Sequence, residues 1–107
     1  MLDLKNNFKN KKILVYGYGI SGRACFHYLK KKNKVLIYDD NEKNIPPALK
    51  KKKINKIKIL KSKFDIIIIS PGINKKKCGL SNFIKKNDYK TITELDIFYL
   101  NNLKNKK

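Results

Sequence analysis

The chain has no tryptophan, one histidine, and one arginine among its 27 basic residues. Only eight acids oppose them, which leaves a formal charge of +19. Such a balance usually suggests a polyanion partner. Proteins that read bases and phosphates favour the bidentate guanidinium, however, and Arg23 is alone here. Lysine, asparagine and isoleucine make up about half of the chain from end to end, a bias of coding rather than a selected patch. Specific nucleic-acid binding is therefore not expected, only weak, salt-sensitive adhesion. Cysteine is sparse too. Cys25 and Cys78 match no metal or redox spacing and read as reduced thiols of a cytoplasmic protein. Long apolar runs are absent: Ile66 to Ile69 has strand length, far from the ~20 residues of a membrane span. Met1 to Phe8 lacks the apolar core of a secretion signal.

What is present suits one α/β domain. A chain of 107 residues, 41% of them hydrophobic, has room for a single core. Strand and helix patterns alternate, which predicts a doubly wound, Rossmann-like parallel sheet of about five strands. Lys12 to Tyr16 reads as the first strand. Ile20 to Lys32 follows as a helix, with Ala24, Cys25, Tyr28 and Leu29 on its apolar face and Arg23, His27, Lys30 and Lys31 on its solvated face. Lys34 to Tyr38 is a second strand, closed by Asp39 and Asp40. After Pro46-Pro47 a helical turn or two is expected over Ala48 to Lys53. The alternating Lys56 to Leu60 suggests a third strand at the sheet edge. Phe64 to Ile69 reads as a strand buried on both faces. Leu80, Phe83 and Ile84 have helical spacing, and a short strand is expected around Lys90 to Ile92. Thr93 to Asp96 resembles a helix cap, with Leu95, Phe98 and Tyr99 as the apolar face of the helix that follows.

Gly17-Tyr18-Gly19-Ile20-Ser21-Gly22 matches G-x-G-x-x-G between a predicted strand and a predicted helix. In such a turn the first glycine permits the bend, the second admits a diphosphate to the backbone, and the third packs helix on strand. Amides at the helix start, with the positive end of its dipole, would hold the anion. Asp39 ends the second strand about 20 residues later, where dinucleotide folds place a ribose-binding acid. On these residues alone NAD is the default ligand, and a stand-alone NAD-binding regulatory domain remains an open alternative.

Taken together, KKILVYGYGISG, YDDNE, FDIIIISPGI and ITELDIFY resemble the first domain of the D-glutamate-adding Mur ligases, in that family's order and at about its spacing. The resemblance runs from about Leu4 to Leu103, giving one UDP-sugar-binding domain over residues 1–103 and a linker or cut end over 104–107. Ser70-Pro71-Gly72-Ile73 after a buried strand is its most specific piece. The resemblance implies that the loop from Gly17 binds the substrate, with Gly19, Ile20, Ser21 and Gly22 meeting the diphosphate of UDP-N-acetylmuramoyl-L-alanine. It also implies that Asp39 and Asp40 face the uracil, and that Ser70, Pro71 and Gly72 line the same pocket. Asn74-Lys75-Lys76-Lys77 departs from the family, which often has prolines and a histidine there. The phosphate loop that opens the family's ATPase domain is missing, so ATP and Mg2+ belong to further ligase domains. On this reading the chain needs no cofactor of its own, catalyses nothing alone, and packs against those domains in a full ligase of cell-wall synthesis.

Overall fold

β-Branched runs build the sheet: β1 is Lys12–Tyr16, β2 Lys34–Tyr38, β3 Ile66–Ile69 and β4 Thr91–Thr93. In the computed structural model, which describes residues 9–97, they pair in the order β2-β1-β3-β4, all parallel. Ile13 of β1 stands beside Val35 on one side and Ile66 on the other, and Val15 stands beside Ile37 and Ile68. Because side chains alternate across a strand, this register sorts the core into two faces. Ile13, Val15, Val35, Ile37, Ile66, Ile68 and Ile92 pack with Cys25, Phe26 and Leu29 of α1, Ile20–Leu29. Leu14, Tyr16, Ile67 and Ile69 pack with Ile59 of α2, Lys56–Leu60, and with Phe83 and Ile84 of α3, Ser81–Lys86. Helices therefore cover both faces of the sheet, as the doubly wound α/β class requires. Burying each isoleucine contributes about 1.5–3 kcal/mol, so four in succession make β3 a central strand.

The sheet has four strands among the described residues, not about five. Lys56–Leu60 is a helix, where its alternation suggested an edge strand. Asn55 caps it by accepting from the Lys58 amide at 2.9 Å, and only Ile59 turns into the core. The edge beside β2 carries just one parallel bridge, Ile37 to Lys53, reinforced by the Ile54 amide donating to the Ile37 carbonyl at 3.0 Å. The expected helical turns do form after Pro46, as a 3-10 helix over Pro47–Lys52.

Helix α1 ends at Leu29 rather than Lys32. The Asn33 side chain donates to the Leu29 carbonyl at 3.0 Å and accepts from the Lys11 amide at 3.1 Å, which turns the chain into β2. Its buried face is also rotated from the expected one. Gly22, Cys25, Phe26 and Leu29 face inward, while Ala24 and Tyr28 are exposed. Gly22 dictates that rotation, because only a residue without Cβ can face the β1–α1 turn so closely. β3 starts two residues later than expected, since Asp65 exchanges bonds with Lys12: its amide donates to the Lys12 carbonyl and its carboxylate accepts the Lys12 amide, each at 2.8 Å. The last strand is shifted by one residue, to Thr91–Thr93. The cap after it does form: Asp96 accepts from the Thr93 amide at 3.0 Å and its hydroxyl at 3.3 Å. In the helical turn at residues 94–97, Leu95 is 63% exposed and Ile97 is the buried apolar residue. Phe98 and Tyr99 lie outside the described residues.

Candidate functional site

Strand β1 lies between β2 and β3, so the chain departs in opposite directions from its two neighbours. A crevice opens at the carboxyl ends of the strands at such a point. Three loops meet there: Gly17 to Gly19 after β1, Asp39 to Asn41 after β2, and Ser70 to Ile73 after β3.

The three glycines of the first loop carry different constraints. Gly17 sits at φ 101°, a left-handed conformation open chiefly to glycine. A Cβ there would also stand 3.0 Å from both Ser70 Cβ and Ile73 Cδ1, so the first and third loops pack together through this missing side chain. A Cβ on Gly22 would lie 2.0 Å from the Gly17 carbonyl oxygen, which is how helix and strand come so close. Gly19 differs: a Cβ there meets nothing within 4 Å. It occupies the N-cap of α1 in extended conformation, and no side chain caps the helix. The first-turn amides thus have neither an intrahelical acceptor nor a capping side chain, and the space before them is open. Ile20 is 89% exposed there, and Ser21 is half-buried.

Asp39 and Asp40 both reach this end, and both hold structure. Asp39 accepts from the Tyr18 amide at 2.7 Å, the Asn41 amide at 2.8 Å and the Asn44 side chain at 3.2 Å. It thereby ties the glycine turn to the end of β2, and a carboxylate with about four acceptor positions keeps room for one more donor. Asp40 accepts from the Tyr16 hydroxyl at 2.8 Å and from the Gly79 amide at 3.3 Å. The Tyr16 hydroxyl in turn accepts from the Leu80 amide at 3.3 Å. Burial, then the neighbouring Cys78 and Asp40, raise the Tyr16 phenol well above its usual range, so it remains a neutral donor. A Cβ on Gly79 would stand 2.5 Å from an Asp40 oxygen, so a larger residue there would turn the carboxylate away from its donors. In the third loop Ser70 accepts from the Ile73 amide at 3.0 Å, and Pro71 and Gly72 are exposed at the crest.

All ten residues singled out from sequence therefore stand on the loops at this end of the sheet or on the first turn of α1. Tyr16, Tyr18, Ile73, Gly79 and Glu94 were missed, although they shape it. The single glycine in Cys78-Gly79-Leu80 was the one available sign of a close backbone approach. Glu94 stands between the cap residues Thr93 and Asp96 and drew no reading of its own, but it is buried against α1. Two concave regions lie away from the crevice. One of about 580 Å3 runs beside α3, lined by Lys75, Ser81, Lys85 and Asp88 among others, and one of about 670 Å3 lies at the amino ends of the strands. Neither includes a residue of the glycine turn.

No family model matches the chain. Two curated relatives do. One is the UDP-N-acetylmuramoylalanine–D-glutamate ligase of Buchnera aphidicola subsp. Baizongia pistaciae, 31% identical over 105 residues, covering 89% of this chain and 23% of the relative. The other is the ligase of the same name from Oenococcus oeni, 32% identical over 92 residues, covering 85% of this chain and 20% of the relative. The chain thus spans about a fifth to a quarter of the length of the curated relatives it matches. Glycine turn, Ser-Pro-Gly loop and doubly wound sheet agree with those matches: this chain corresponds to an N-terminal part of the D-glutamate-adding Mur ligases.

Proposed function

We propose that this domain holds the UDP moiety of UDP-N-acetylmuramoyl-L-alanine for a D-glutamate-adding ligase. The observation that carries the reading is the uncapped start of α1 behind Gly19, open where the second glycine of the motif should admit a diphosphate. The exposed Pro71 and Gly72 flank the crevice, and the names of the two relatives supply the substrate class. Ile20, Ser21 and Gly22 would offer amides to the diphosphate, while Asp39 and the Ser70 loop would face the uridine. Asp40 acts indirectly, through Tyr16 and Gly79. In a full ligase the acyl-phosphate chemistry, with its ATP and Mg2+, would belong to other domains that pack on this one. The 107-residue chain would then bind without turning over ATP.

Asp39 also stands where a dinucleotide fold places its ribose-binding acid, which keeps NAD as the competing ligand. Its oxygens already serve Tyr18, Asn41 and Asn44, however, and leave little capacity for a bidentate ribose. Calorimetry with UDP-N-acetylmuramoyl-L-alanine against NADH separates the two. Binding of the first and not the second is expected, and the reverse overturns the proposal.

A further inference from the structure

Glu94 takes no part in the reading above, yet among the described residues it is the one buried charged side chain. It is 1% exposed, and neither carboxyl oxygen makes a well-formed hydrogen bond, the nearby Ser21 hydroxyl being the one group that eases its charge. An unpaired carboxylate in such surroundings is costly, and proteins keep one only where something offsets it. Its place in the fold suggests what that is. Oε1 lies 3.6 Å from where a Cβ of Gly22 would stand, so the carboxyl is pressed against the first turn of α1. That turn is the uncapped helix end before which the crevice opens.

We propose that Glu94 is a positioning residue that sets the strength of the anion site, with the diphosphate binding well only while the Glu94 carboxyl is neutral. The inference rests on the nucleotide-binding reading. An ionised Glu94 would share the positive field of the α1 amides and repel an incoming diphosphate from behind. A diphosphate bound there would draw a proton onto it. Among the described residues, the groups around it offer no compensating cation. From α1 come the Ser21 hydroxyl and the Cys25 thiol, and burial followed by the charge of Glu94 pushes that thiol up to about 12, so it stays neutral. On its own turn Asp96 is occupied by Thr93. The strands contribute apolar residues to this face, among them Val15, Ile68 and Ile92. Burial raises the Glu94 carboxyl above its ordinary value, and the Ser21 hydroxyl draws it partly back. The arrangement thus disfavours the ionised form relative to an exposed glutamate.

The test is calorimetric titration of the 107-residue chain and its Glu94→Gln variant with UDP-N-acetylmuramoyl-L-alanine at pH 5.5 and pH 8. The ligand's diphosphate and carboxylate do not titrate in that window. Wild-type affinity should fall roughly tenfold or more across the window, equivalent to about one pKa unit of coupling. Glu94→Gln should be flat and should exceed the wild type at pH 8 by a similar factor. Parallel profiles in the two proteins overturn the role of Glu94. Should the variant not fold, wild-type titrations in buffers of different ionisation enthalpy suffice: proton uptake on binding supports the proposal and its absence overturns it. No binding by the wild type even at pH 5.5 overturns the nucleotide reading itself, whereas pH-independent binding overturns only this inference.

Discussion

The two ends of the sheet are built from opposite materials. At the amino ends of the strands Lys11, Lys12, Lys31, Lys32, Lys34 and Lys52 gather around Asp65. At the carboxyl ends Asp39 and Asp40 sit among glycines, and their oxygens accept from Tyr18, Asn41, Tyr16 and Gly79. Those six lysines belong to an excess that runs along the whole chain, and charge of that kind is cheap. The two ion pairs among the described residues, Lys53 to Glu42 and Lys75 to Asp88, are exposed and each contributes about 0–1 kcal/mol at most. The carboxyl end is where positions are specified, by one left-handed glycine, by contacts that only glycine permits, and by carboxylates bonded to backbone. A composition dominated by lysine therefore says little about where positions are specified.

The largest effect should come from Gly22→Ala. Its new Cβ would need the space of the Gly17 carbonyl 2.0 Å away, and helix α1 cannot retreat without opening the core. A loss of about 3 kcal/mol or more is expected, a large part of what a domain of this size possesses. Urea unfolding measures it, and a loss below 1 kcal/mol would mean the helix has freedom the packing denies. Gly19→Val should do the reverse. With open space around its Cβ and an extended backbone, its melting temperature should stay within a few degrees of the parent while UDP-sugar binding disappears. A folded Gly19→Val variant that binds normally would show that the glycine turn serves packing only.

Asp39→Asn should produce an intermediate result. It weakens the acceptor that joins Tyr18 to Asn41, and a hydrogen bond to a charged group contributes about 1.5–3 kcal/mol. Ligand affinity should fall about ten- to a hundredfold, since the glycine turn loses its tie to β2. The smallest effect belongs to the lysine-rich end. Replacing Lys31, Lys32 and Lys34 by glutamine should leave UDP-sugar affinity unchanged within about twofold. The same change should lower the salt-sensitive retention of the chain on DNA, because each removed cation reduces the salt slope by about 0.9. A matching loss of UDP-sugar binding would move the site to the opposite end of the sheet.

How far the fold was legible follows from how local each signal was. β1 and β2 have the bounds read from sequence, because short β-branched runs ended by a glycine and by acids leave little choice. The glycine turn was legible for the same reason, and so were the loops after β2 and β3. Lys56–Leu60 was misread because a run as short as Lys-Ile-Lys-Ile-Leu fits both periods, and Asn55 as a cap was the deciding residue. The rotation of α1 was hidden, since it depends on a 2.0 Å approach between Gly22 and Gly17 that no periodicity encodes. Asp39 and Asp40 do follow β2 as expected, but their partners Tyr16, Tyr18 and Gly79 are separated from them by up to 39 residues. Long-range hydrogen bonds of that kind leave no trace in a single sequence. Glu94 shows the same limit, as an acid whose meaning lies in the helix above it.

The central claim is that the carboxyl end of the sheet holds the nucleotide, and amide chemical-shift mapping with UDP-N-acetylmuramoyl-L-alanine tests it most directly. The largest shifts should fall on Gly19, Ile20, Ser21 and Gly22, with smaller ones at Asp39 and at Ser70 to Ile73, and the amides of Lys31, Lys32 and Lys34 should stay still. Shifts concentrated on those lysines, or none at ligand concentrations that saturate a full-length D-glutamate-adding ligase, would contradict it.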